Sequence, residues 1–85
     1  MKVWGKLKSE DRINCDVTLL AKDFNSALYA VCEHFDLTKP IVCNKHQNEI
    51  KDFGRTCFYA DDFVEGIAFD TLEIEIIVMR KKNKD

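Results

Sequence analysis

From Lys2 the chain alternates, with Val3, Gly5 and Leu7 on one side and Trp4, Lys6 and Lys8 on the other. A period of two marks a strand with one apolar face. After the polar turn "SEDR" the alternation resumes over 13–21, where Ile13, Cys15, Val17, Leu19 and Ala21 share a face. The two segments together predict a hairpin. Then the period lengthens. Phe24, Ala27, Leu28, Val31, Cys32 and Phe35 recur at i, i+3, i+4, i+7, i+8 and i+11, which gathers them into one stripe of an amphipathic helix. Asp23 stands where such a helix takes its N-cap, and Pro40 predicts a stop near Asp36.

"PIVC", 40–43, has no polar residue and predicts a short central strand. In "NKHQNEIKDFG", 44–54, Asn44 and Gln47 fit a capping box, His46, Ile50 and Phe53 form a stripe, and Gly54 ends the helix. "RTCFY" reads as a brief strand, "ADDFVEG" as a loop, and 69–80 as the longest strand. That last strand turns Leu72, Ile74, Ile76 and Val78 one way and Glu73, Glu75, Ile77 and Met79 the other. The order ββαβαββ predicts an α+β fold. Its form is a two-layer sandwich, a mostly antiparallel sheet of about five strands with both helices on one face. Residues 1–80 form one domain and 81–85 a solvated basic tail.

Composition narrows the function classes. With 85 residues, 46% hydrophobic and 33% charged, the chain can bury one core. A net charge of −2 makes nucleic acid an unlikely partner, since that binding neutralises many phosphates. No run approaches the roughly 18 apolar residues of a membrane span, and "MKVWGKLK" lacks the apolar core of a secretory signal. The chain reads as cytoplasmic, with its four cysteines reduced.

Candidate chemistry is sparse. Cys43 and His46 make a C-x2-H hook, and Cys57 follows, but zinc wants two closely spaced ligand pairs. Cys15 and Cys32 fall on core-facing positions, so helix capping explains the stretch better than metal does. The acidic loop around Asp61, Asp62 and Glu65 lacks the ligand order of a calcium loop. None of the catalytic motifs with a known mechanism occurs, and no cofactor is expected. Lys2, Lys6 and Lys8 beside Trp4 could form a basic stripe. If the first and last strands are neighbours, however, Lys6 and Lys8 face Glu73 and Glu75 as a charge ladder.

In "KVWGKL", "LTKPI" and "FDTLEIEII" the chain resembles small uncharacterised proteins of anaerobic Firmicutes. The resemblance implies no activity, ligand or catalytic residue. From the residues, the expected function is a non-catalytic protein-interaction module. It is expected to form a homodimer through the uncovered sheet face, at Trp4, Leu20, Ile77 and Met79, with an unknown protein partner besides. The alternatives are a metal-dependent regulator using Cys43, His46 and Cys57, and a single-strand nucleic-acid accessory protein using Trp4, the lysines and the tail.

Overall fold

The computed structural model describes residues 1–10 and 12–77. Four strands and two helices follow one another as β1 (Lys2–Ser9), β2 (Arg12–Leu20), α1 (Phe24–His34), α2 (Asn44–Phe53), β3 (Arg55–Tyr59) and β4 (Thr71–Ile77). A single 3-10 turn, Ala60–Asp62, follows β3. The fold is α+β, and the sheet is antiparallel throughout with strand order β2-β1-β4-β3. Val78, Met79, Arg80 and the expected tail 81–85 lie outside the described residues.

The fifth strand expected at "PIVC" does not form. Pro40 has no N–H to give a ladder, and the Ile41 N–H donates instead to the Asp62 carbonyl at 2.8 Å. Val42 drops its side chain against the core while Ile41 stays exposed. The segment is an extended strap, and the element order becomes ββααββ.

β1 lies in the middle of the sheet. Its Gly5 faces Ile74 on β4 and Val17 on β2, and a Cβ built there would meet Val31 Cγ1 at 2.6 Å. Helix α1 therefore sits directly on the strand. It buries Ala27, Leu28, Val31 and Cys32 against Val3, Leu72, Ile74 and Phe58. Asp23 caps the helix by accepting from the Ser26 N–H at 2.8 Å, as its position in the sequence suggests. The other end closes on a motif rather than on Pro40. Asp36 turns left-handed at φ 59°, and the Asp36 and Leu37 N–H groups donate back to the Glu33 and Cys32 carbonyls. This is the Schellman closure of a helix.

Two further details differ from the pattern-based expectation. The β1–β2 register slips after Leu7, so that Lys8 faces Ile13 and Asn14 is the extra residue. A one-residue slip turns side chains over. Ile13 therefore shares a face with Lys8, opposite Cys15, and is exposed. Cys15 keeps its core-side position but is also exposed, because α1 lies over β1 and β4 and leaves the far end of the hairpin uncovered. In α2 the N-cap is Cys43, one residue before Asn44, and Gly54 ends the helix at φ 74°.

Because Val31 is β-branched on a helix and has one comfortable rotamer, it cannot swing away from a new methyl at position 5. Gly5→Ala is expected to cost about 1–3 kcal/mol by overpacking, read by urea unfolding. Adding Val31→Ala should restore part of that loss; a Gly5→Ala protein as stable as the parent would contradict the contact.

Left-handed Asp36 is a second handle. Asp36→Gly should stabilise the chain by up to about 1 kcal/mol, since glycine takes this conformation without steric penalty. A thermal melt that shifts downward would show that the Asp36 side chain contributes more than its backbone strain.

Candidate functional site

The sheet divides the residues that carry chemistry between its two faces. On the helix-covered face, His46 is fully buried and stacks on Phe58 with ring centroids 4.3 Å apart. Its Nδ1 accepts the Cys43 N–H at 3.0 Å, which leaves the ring proton on Nε2. Nε2 lies 3.5 Å from Asp62 Oδ2, and that oxygen already accepts the Tyr59 N–H at 2.9 Å. That contact is not a hydrogen bond, and buried Nε2 has no hydrogen-bond partner among the described residues; His46 acts on the start of α2 through Nδ1 and packs against Phe58. Cys57 sits on the other face, in register with Glu73. The sheet separates it from His46, and the Nδ1 lone pair of His46 is already occupied. Cys43, His46 and Cys57 do not converge. Among the described residues no three metal-ligating side chains gather.

Neither buried Cys32 nor half-buried Cys57 carries an activated thiol. Burial pushes the Cys32 thiol up to about 11. Burial, reinforced by the negative charge of Glu73, raises Cys57 as well. A protonated thiol is a poor nucleophile.

The acidic loop holds segments together. Asp62 caps the turn, Glu65 Oε1 accepts the Thr38 hydroxyl at 2.9 Å, and Asp70 accepts the Glu10 N–H at 2.8 Å. The last of these supports Glu10, left-handed at φ 53° in the β1–β2 turn.

The uncovered face carries the charge ladder. β1 pairs with β4 so that Lys6 is directly across from Glu73 and Trp4 from Glu75. Lys6 Nζ lies 3.4 Å from Glu73 Oε2 and 2.9 Å from Glu75 Oε1, and Lys8 Nζ lies 3.0 Å from Glu73 Oε1. The Lys6 and Glu73 side chains are each only 7% exposed, although no described helix covers them. Trp4 provides much of the cover. Its Nε1 donates to Asp16 Oδ2 at 2.7 Å, which holds the ring 3.8 Å from Lys6 Nζ. Burial alone would raise the Glu73 carboxyl, but hydrogen bonds and charge from Lys8 and Lys6 outweigh it and hold the group below 4.5. The basic stripe is thereby neutralised at Lys6 and Lys8. At one end of this face Leu20, Lys2 and Ile77 form a row beside Trp4, and Leu20 is 79% exposed. Met79 lies outside the described residues.

A second open surface was not foreseen from the pattern. Phe53, placed on the α2 stripe by its spacing, is 74% exposed. With Lys45 and Glu49 it walls a groove of about 550 Å³ beside Arg55, Cys57 and Tyr59 of β3. The usable signal is Lys45, Glu49 and Phe53 at i, i+4 and i+8, a second helix face next to the His46 stripe.

The geometry defines a small α+β domain, with one sheet face left uncovered by the described helices. No family model, no curated protein and no solved structure matches the chain, and nothing in those comparisons bears on the resemblance to small proteins of anaerobic Firmicutes. No described helix is long and apolar enough to cross a membrane.

Removing Lys6 strands part of a desolvated charge. Lys6→Met is expected to cost about 2 kcal/mol, below the roughly 3–5 kcal/mol of a fully uncompensated buried charge because Lys8 remains. Glu75→Gln, whose side chain is 35% exposed, should cost under about 1 kcal/mol. The pH dependence has a definite sign. A carboxyl lowered by folding stabilises the chain above its unfolded value and loses that contribution as pH falls through the folded value. The gap between parent and Lys6→Met should therefore narrow as pH drops below 4.5, measured by denaturant midpoints across pH 3–7. A gap that widens in acid would refute the assignment.

Proposed function

We propose that this chain is a non-catalytic protein-interaction module that forms a homodimer through the uncovered face of its sheet. The observation that carries this reading is the Lys6–Glu73 pair, desolvated and neutralised on a face that no described helix covers. Most faces rich in charge resist burial because each ion must shed water. Here that desolvation has largely occurred on folding, so a second copy meets little further penalty at the centre. Trp4 is held in place by Asp16 and Lys6, and a pre-ordered aromatic loses little entropy on contact. Leu20 and Ile77 supply apolar area next to it, and tryptophan is a favoured interface residue. A face presenting both Lys and Glu also complements itself across a twofold axis.

The module belongs in the cytoplasm. All four cysteines are free, which suits a reducing compartment.

Light scattering at micromolar concentration tests the assembly. The expected mass is twice 9.9 kDa, returning to the single-chain value in Ile77→Lys. A parent protein that scatters as one chain at these concentrations sinks the proposal.

A further inference from the structure

We infer that the groove between α2 and the free edge of β3 binds an extended acidic peptide, added as a fifth strand to the sheet. The groove borders the proposed dimer face and shares Glu75 with its ion lattice, but Trp4, Leu20 and Ile77 lie outside its lining, so the two readings are tested separately.

The backbone comes first. The Ile76 N–H donates to the Gly54 carbonyl at 2.7 Å, and in an antiparallel ladder the bonded pairs recur every second residue. Thr56 and Phe58 therefore turn their backbone groups toward β4, while Arg55, Cys57 and Tyr59 turn theirs outward. The Tyr59 N–H is taken by Asp62. Among the described residues the outward N–H and C=O of Arg55 and Cys57 and the C=O of Tyr59 meet no partner. An open edge of this kind is a template for another strand.

The walls select what docks. Helix α2 runs back along β3, with His46 against Phe58 and Glu49 accepting the Thr56 hydroxyl. This antiparallel arrangement brings Lys45 near Tyr59 and Phe53 near Arg55. Each end of the groove thus combines one cation with one exposed aromatic ring, Tyr59 being 53% exposed and Phe53 74%. The two carboxylates that line the groove are already engaged, Glu49 by Thr56 and Glu75 by Lys6. Among the described residues Lys45 and Arg55 have no ion-pair partner. The Thr56 hydroxyl leaves the negative charge of Glu49 in place, but with Glu75 answered by Lys6 the two cations of the lining still outnumber it, and this matches a peptide with carboxylates near both ends and apolar residues between. The length also fits. Five residues of β3 span roughly 16 Å at the usual rise of a strand, which sets the ligand at about five residues. At the other free edge, β2, Asp16 is held by Trp4.

Fluorescence anisotropy with a labelled peptide alternating glutamate and valine tests the inference. The expected result is saturable binding to the parent protein and equally to Ile77→Lys, whose substitution lies outside the groove. Binding should weaken about tenfold or more in the exposed-site variant Lys45→Glu/Arg55→Glu, as expected for losing two charge-assisted contacts. On the unaltered protein, a peptide N-methylated at alternate residues should lose binding, since it can no longer donate to the edge. Absence of binding by the acidic peptide overturns the inference. So does equal binding of the N-methylated peptide, or of a lysine-for-glutamate peptide. Because light scattering reads the dimer and anisotropy reads the groove, failure of one leaves the other intact.

Discussion

Strands from opposite ends of the chain, β1 and β4, lie side by side in the middle of the sheet, with β2 laid against β1 and β3 against β4. Bringing residues 65 to 69 positions apart together is entropically unfavourable, and the offset must come from both faces of the pair. On one face Val3, Leu72 and Ile74 are sealed by α1, and Gly5 lets the helix approach to van der Waals contact with the strand. On the other, Lys6 and Lys8 tie β1 to Glu73 and Glu75. Apolar burial supplies most of the attraction. The ion lattice supplies register, because a slip of one residue would move both lysines to the helix side and leave the carboxylates unpaired.

The same pair explains what was readable from pattern alone. The α1 stripe, the Asp23 cap, Gly54 as the end of α2 and the Lys–Glu ladder all depend on periodicity or local chemistry, and all appear in the structure. What escaped depends on distant partners. "PIVC" has the composition of a buried strand, but Pro40 has no N–H to give a ladder, and the Ile41 N–H goes to the Asp62 carbonyl instead. Ile13 was assigned to the core face on strict alternation, and the extra residue at Asn14 reverses it. A bulge of that sort leaves no compositional mark. The Cys43–His46 hook is ambiguous for a different reason. A histidine that accepts its N-cap N–H and a histidine that binds metal look the same in sequence, and only the burial of His46 against Phe58 tells them apart.

The site was legible in part. Trp4 and Ile77 fall on the bare face as alternation requires, and Leu20 joins them through the hairpin register. Trp4 has a role that alternation could not reveal, since its ring is fixed by Asp16 and shields Lys6. The groove residues were hidden by the helical period. Phe53 lies seven positions from His46, close enough in angle to join its stripe, yet it comes at the last turn, where the helix has passed the end of the core.

The bare face and the β3 edge differ in how their charges are met, and that difference separates their physical roles. On the face, Lys6 finds both carboxylates within the chain, Lys8 finds Glu73, and the lattice is closed. A closed lattice offers no long-range pull, so contact there depends on shape and apolar area and suits a partner that brings the same surface. At the edge, Lys45 and Arg55 stand beside carboxylates already committed to other groups. Open charge next to open backbone attracts a ligand at a distance and then orients it strand by strand. With −2 as the formal charge of the whole chain, such attraction comes from local placement rather than from net charge. Glu75 stands where the two surfaces meet, since it belongs to the closed lattice through Lys6 and also lines the groove.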